Sequence, residues 1–240
     1  MLSVADLGVV ADDLTGACDV AAAFAAAAGS VRVHVRPGPR RESRRDDLVV
    51  VNTQSRLLRP AQARAVAERV GQELVGERVI FVKVDSALRG AVGALLEGLL
   101  QAVGRRKVVV APAIPRIGRT TRGGIQYDCG TPIDKTAFAD DPVSPIRSAR
   151  LAQLLGRTGN PACEIRDAET DEDLREIVRD ALTCPQIVLV GSLGLADALT
   201  EELDRIPARS GAAPLARSSR RPLIVCGPNT RSHTRRSSRL

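Results

Sequence analysis

Val4-Ala5-Asp6-Leu7-Gly8-Val9-Val10-Ala11-Asp12-Asp13-Leu14-Thr15-Gly16-Ala17-Cys18-Asp19-Val20 is the stretch whose reading decides the fold. Residues 4–11 form a short, mostly continuous apolar run, as in a strand covered on both faces of a parallel sheet. Two acids follow at once, and residues 16–28 read as a helix. A strand that ends in polar residues and turns directly into a helix is the opening of a β-α-β unit.

Outward from that stretch the same rhythm repeats. Residues 31–35, 48–52, 79–84, 108–111, 186–191 and 223–226 read as strands, and 61–75, 91–103, 171–182 and 193–203 as helices. Such alternation predicts an α/β fold: a largely parallel sheet flanked by helices through right-handed crossovers, in a Rossmann-like three-layer architecture. Residues 112–145 break the rhythm, with five prolines and no long periodic run. They predict a long irregular excursion, of the kind that is functional or disordered. Residues 205–221, rich in Arg, Ser, Ala and Pro, read as a linker.

The bulk numbers bound the function. The 240 residues suffice for one large or two small domains, and 44% hydrophobic with 26% charged residues fits a globular protein. Aromatics make up 2% with no Trp, so the core is built from Val, Leu, Ile and Ala, and base-stacking platforms are not expected. The net charge is +7, but nine Arg and no acid lie from Arg205 onward. Removing those nine leaves 26 basic against 28 acidic side chains in residues 1–204. The basicity belongs to a solvated tail, which argues against nucleic acid as a partner. Cysteines at 18, 129, 163, 184 and 226 show no C-x-x-C spacing, and only His34 and His233 could join them, so no Cys/His metal site is expected. Asp6 stands where a leader would be apolar and no run reaches transmembrane length, so the expectation is a cytoplasmic protein with no membrane partner.

Ligands of open α/β sheets bind beyond the carboxyl ends of the strands, and four polar clusters fall there. Asp12 and Asp13 would hold a hydroxyl, a magnesium ion or a proton, or merely cap the following helix. Arg56, closing Asn52-Thr53-Gln54-Ser55-Arg56, would fork onto a carboxylate or phosphate, or lie exposed on a loop. Lys83, Asp85, Ser86 and Arg89 crowd one strand-to-helix turn and match an anionic polyol, or else form a structural ion-pair network. Arg119 lies in Gly118-Arg119-Thr120-Thr121-Arg122-Gly123-Gly124, whose glycines suit close approach of an anion but lack the Lys-Ser/Thr of a P-loop. No G-x-G-x-x-G follows the first strand. Asp167–Asp171 suits a helix N-terminus, and the 191–196 turn is either an anion site or a close-packed corner.

In order and spacing these pieces resemble the four-carbon acid sugar kinase family. The resemblance runs from 11–17 through 52–56, 83–90, 118–121, Tyr127, Asp141-Pro142, Ser144-Pro145 and 167–174 to 191–196, and departs at Ala87, where the family usually has Thr. It implies ATP- and Mg2+-dependent phosphorylation of a threonate, erythronate or oxo-tetronate, the small-molecule sugar acid partner. It implies Asp12, Arg56, Lys83, Asp85, Ser86, Arg89 and Arg119 as substrate contacts, with Asp12 or Asp13 the candidate base; a homodimer is left open. It also implies a sugar-acid-binding domain over residues 1–204, the linker 205–221, and in 222–240 a vestige of a nucleotide-binding domain. A shifted reading frame after Gly227 would account for the ending, since one inserted nucleotide restores a family-like continuation under one permitted codon choice. A truncated sugar-acid-binding domain without catalysis is the alternative reading.

Overall fold

The computed structural model describes residues 2–36, 47–104, 106–156 and 163–203, all within one compact unit. Strand β1 (Leu7–Ala11) leads to helix α1 (Leu14–Phe24), β2 (Ser30–His34) and β3 (Asp47–Asn52). Then come α2 (Pro60–Gln72), β4 (Val79–Lys83), α3 (Val92–Val103) and β5 (Lys107–Ala111). The excursion carries β6 (Arg119–Arg122), β7 (Ile125–Asp128) and β8 (Thr131–Pro132), followed by α4 (Leu151–Leu155) and β9 (Cys163–Ile165). Helix α5 (Asp171–Ala181), β10 (Ile187–Gly191) and α6 (Leu193–Glu201) complete the described residues.

Seven of these strands form one sheet in the order β2-β3-β1-β4-β10-β5-β9, with every neighbouring pair parallel. The predicted α/β architecture is therefore the observed one. The register explains the apolar runs. Val51, Val10, Val82, Val190 and Val110 stand in one row across five strands, under α2, α3 and α4. The preceding row, Val50, Val9, Phe81, Leu189 and Val109, packs on α1, α5 and α6. Phe24 of α1 meets Phe81 edge-on, with centroids 5.8 Å apart. Both faces are covered, so β-branched residues pack in both directions and the strands lose their alternation. The row after Val10 is Asn52, Ala11, Lys83, Gly191 and Ala111, where the apolar run stops at the carboxyl edge.

Helices α2 and α3 touch backbone to backbone: a Cβ at Gly98 would fall on the carbonyl of Arg64. Gly98→Ala gains about 1 kcal/mol of helix propensity, but its methyl has nowhere to go without moving a helix. A net loss of about 2 kcal/mol is expected from overpacking, measured as a lower urea midpoint; an unchanged midpoint would contradict this packing.

Several boundaries differ from the sequence expectation. Residues Val4–Asp6 are a 3-10 turn capped by Ser3, not the start of the strand. Helix α1 ends at Phe24 rather than 28, and α2 ends at Gln72 rather than 75. Residues 112–145 are not irregular throughout: β6, β7 and β8 form a separate antiparallel sheet. Its first hairpin turns at Gly123-Gly124, both with positive φ, the chemistry a two-residue turn demands. Two elements, α4 and β9, are too short to leave a periodic signal. The strand reading at 223–226, the linker 205–221 and the segment 222–240 lie outside the described residues. Among the described residues no helix is long and apolar enough to cross a membrane.

Candidate functional site

The connection after β1 goes to one face of the sheet, and those after β3 and β4 go to the other, because α1 lies on one side and α2 and α3 on the opposite side. The crevice at such a reversal is where open α/β sheets bind ligands. Asp12, Arg56 and Lys83 all arrive there.

Asp12 leaves β1 with its amide bonded to the carbonyl of Lys83 and is only 2% exposed. Arg56 forks onto it: Nη2 donates to Oδ1 at 2.7 Å and Nε to Oδ2 at 3.0 Å. The third nitrogen, Nη1, reaches Asp13 Oδ2 at 2.5 Å. The loop before Arg56 exists to deliver it. Thr53 bonds the carbonyl of Ala11 through both its amide and its hydroxyl, and the amide of Arg56 bonds the carbonyl of Asp12. Buried Asn52 receives the amide of Gln54 on its side-chain oxygen. Within this stretch only Arg56 reaches the acids; its neighbours tie the loop to β1.

The two aspartates divide their work. Asp13 is the N-cap of α1, its Oδ1 accepting the amide of Gly16 at 2.8 Å. Asp12 caps nothing. Burial pushes its carboxyl above the usual range, against the hydrogen bonds and charge of Arg56, with the charge of Asp13 adding to the rise. Lys83, 6% exposed, donates from Nζ to the carbonyl of Val84 at 3.1 Å, and its charge favours ionised Asp12. One of its three N–H bonds thus has a protein acceptor among the described residues.

The next turn holds a second fork. Arg89 Nε and Nη2 donate to the two oxygens of Asp85 at 2.8 and 3.1 Å, and Nη1 donates to Asp141 at 2.9 Å. Burial works to raise Asp85, but the hydrogen bonds and charge of Arg89 outweigh it and hold the carboxyl below the usual range. Leu88, buried within this turn, has φ 56, uncommon for a bulky side chain. The arginine is thus presented by a backbone that the surrounding packing dictates.

Ser86 belongs to a third group. Its hydroxyl accepts from Arg119 Nη1 at 3.1 Å, and its carbonyl accepts from buried Gln126. Arg119 Nη2 pairs with Asp128 at 3.0 Å. The three groups adjoin: the charge of Asp85 acts on Arg56, and both Arg89 and Arg119 lie over the ring of Phe138. Ala87 is fully buried with Ile133, Ile146 and Ala149, so the position where the resemblance expects Thr is a packing position here.

The structure therefore brings Asp12, Asp13, Arg56 and Lys83 together, Asp85 with Arg89, and Ser86 with Arg119. Sequence reasoning missed Asp128, Gln126, Phe138 and Asp141 as members. Only Asp141 carried a signal, as the Asp-Pro of the quoted motif. Asp167 is structural: it accepts the amides of Gly123 and Gly124 in the hairpin. Ser192, buried, donates to the carbonyl of Val84 and so closes the 191–196 corner against β4. Among the described residues no group of three or more His, Cys, Asp or Glu side chains is placed to hold a metal ion.

Comparison with known proteins bears on the family and the fold. The family model described as the sugar-binding N-terminal domain matches residues 7–165. A D-threonate kinase of Bordetella bronchiseptica is 34% identical over 229 residues, covering 88% of this chain and 55% of the relative. A 3-oxo-tetronate kinase of Brucella melitensis is 28% identical over 243 residues, covering 86% of this chain and 55% of the relative. A D-erythronate kinase of Heliobacterium modesticaldum is 31% identical over 152 residues, covering 61% and 35%. Among solved structures, a Bordetella bronchiseptica domain of unknown function, a domain-swapped dimer with bound citrate, superposes with a TM-score of 0.75 at 31% identity. That match covers 81% of this chain and 56% of the other. The chain spans about half the length of the curated relatives it matches, 55% for the first. With the sheet order, the convergent site and the match over residues 7–165 in hand, the chain belongs to the sugar-binding N-terminal domain family, whose relatives here are named as kinases of four-carbon sugar acids.

Proposed function

We propose that this chain holds a four-carbon sugar acid, of the threonate, erythronate or oxo-tetronate type, for phosphorylation by ATP. The observation that carries the reading is that buried Asp12 and Lys83 both stand at the carboxyl ends of the paired strands β1 and β4, where the charge of Lys83 acts on Asp12. The relatives' names support the reaction class.

The parts divide by charge. Lys83 and the guanidinium groups supply positive charge for an acidic ligand. Asp85 and Ser86 supply oxygens for hydroxyls. Asp12 takes the proton of the reacting hydroxyl, because its raised pKa makes it a better acceptor than an ordinary aspartate. Asp13 is committed to its cap and positions Arg56. ATP and Mg2+ belong to the reading through the relatives' kinase names. The described residues do not fit the metal, because no cluster of three candidate ligands exists among them. No step is assigned to the metal or nucleotide here.

The test supplies the full chain with ATP and Mg2+ and a panel of D-threonate, D-erythronate and 3-oxo-tetronate, following both binding and phosphate transfer. Transfer to one acid establishes the whole reading. Binding without transfer leaves a sugar-acid-holding domain and places the transfer machinery elsewhere. Binding of none overturns the proposal. Where transfer occurs, Asp12→Asn lowers turnover about 100-fold or more with a smaller change in binding, and the wild-type rate falls as pH drops through a pKa above that of an ordinary aspartate. Equal losses in turnover and binding would remove the base role from Asp12.

A further inference from the structure

The excursion between β5 and α4 is strapped onto the Lys83–Gly90 turn at two points that the proton chemistry does not use. Asp141 takes Arg89 Nη1 at 2.9 Å while its other oxygen accepts the amides of Val143 and Ser144. Ser144 Oγ accepts the amide of Gly90 at 2.8 Å. Between these two anchors and β8, Phe138 sits in the 3-10 segment Ala137–Asp140, packed against the small core of Ala87, Ile133, Ile146 and Ala149. Its ring lies against two guanidiniums: Arg119 Cζ is 4.7 Å and Arg89 Cζ 5.4 Å from the ring centroid.

Two like charges do not gather at one ring without cause. Each has acid partners, Asp128 for Arg119 and Asp85 and Asp141 for Arg89, yet the arrangement is incomplete. Arg119 is 6% exposed, and among the described residues its Nε has no hydrogen-bond partner. A buried N–H without an acceptor is costly, and such groups call for a ligand or water. A planar carboxylate is the group that two planar forks recognise, and a face of aromatic carbon holds both forks by attraction of cation to ring.

We propose that Phe138 is a positioning residue that sets the spacing of Arg89 and Arg119, so that this pole of the site reads the carboxylate of the sugar acid. The inference rests on the proposed function, since it takes the sugar acid as ligand. Phe138 touches no reacting atom; it acts through the arginines, above all Arg119. The polyol chain then runs from this pole towards Lys83 and Asp12.

The test is a double-mutant cycle on the full chain, with D-threonate affinity measured by titration calorimetry. Phe138→Leu keeps the small core apolar and removes the ring. It is expected to weaken D-threonate binding about tenfold, while Phe138→Tyr, which keeps the ring, restores it. In an Arg119→Lys background the same Phe138→Leu change is expected to cost less than about twofold, because residues that act through one another are not additive. A structural role alone predicts the same loss in both backgrounds, and that result, or no loss at all with Arg119 intact, overturns the inference. Failure of the unmodified chain to bind D-threonate, D-erythronate or 3-oxo-tetronate is a different result, and overturns the function on which the inference rests.

Discussion

Arg56→Ala is expected to destabilise the chain by about 3–5 kcal/mol, the range for removing one partner of a buried ion pair. Asp12 is 2% exposed and takes two of its hydrogen bonds from this one guanidinium. Without it a carboxylate is left in the crevice beside Asp13, with Lys83 as the remaining cation. The effect has a pH signature. Asp12 already has a folded-state pKa raised above 3.8, and loss of Arg56 removes the largest opposing influences, so the rise becomes greater. A carboxyl with a raised folded pKa binds more protons folded than unfolded. Its stability contribution is fully present below the unfolded value and is lost as pH rises through the folded one. The gap in melting temperature between wild type and Arg56→Ala should therefore be widest at neutral pH and narrow as pH falls towards 3.8. Asp12→Asn added to Arg56→Ala should recover most of the loss. A gap independent of pH, or no recovery, would mean that Arg56 acts through packing and not through its pair with Asp12.

Lys83→Met is expected to divide binding from stability. Lys83 is 6% exposed, and its ammonium has a single hydrogen-bond acceptor among the described residues, the carbonyl of Val84. Burying an ammonium so thinly supported is unfavourable for folding, and an apolar isostere leaves stability unchanged or raises it. The same ammonium has N–H bonds left for an anionic ligand. Loss of one partner from such a charged contact weakens sugar-acid binding about 100-fold. The pair of measurements is a urea midpoint and a titration with D-threonate. Lower stability with unchanged affinity would make Lys83 a structural cation and remove it from the binding site.

The contrast between these two residues shows what the sequence could and could not convey. The sheet was legible because its strands are buried on both faces, and Val9-Val10, Val49-Val50-Val51 and Val108-Val109-Val110 admit few other readings. The carboxyl-edge residues were legible for the same reason. Where an apolar run stops at Asp12, Asn52 and Lys83, the strand has left the core. Their partners were not legible, because pairing is set by strand order, and no local pattern says that β1 lies between β3 and β4. Sequence reading left Asp12 and Asp13 equivalent. The structure separates them, since one carboxylate caps α1 and the other is buried under Arg56.

The excursion was misread for a physical reason. Its strands are two to four residues long, and Pro115 and Pro132 fall in a 3-10 turn and in the shortest strand, so no periodicity develops. What holds it is a set of long-range contacts to the site itself: Gln126 to Ser86, Asp141 to Arg89, and Ser144 to Gly90. Irregular sequence here reflects an element whose fold depends on the turn it covers. Phe138, one of three Phe in the chain, stands on it, and composition alone gave no reason to single it out.

The most direct test of the central claim is a crystal structure of the full chain with D-threonate bound. The account predicts the ligand at the carboxyl ends of β1, β3 and β4, with a hydroxyl against Asp12, the ligand within reach of Lys83, and the carboxylate between Arg89 and Arg119. A ligand bound elsewhere on the fold, or lying in the crevice without touching Asp12 and Lys83, would contradict it.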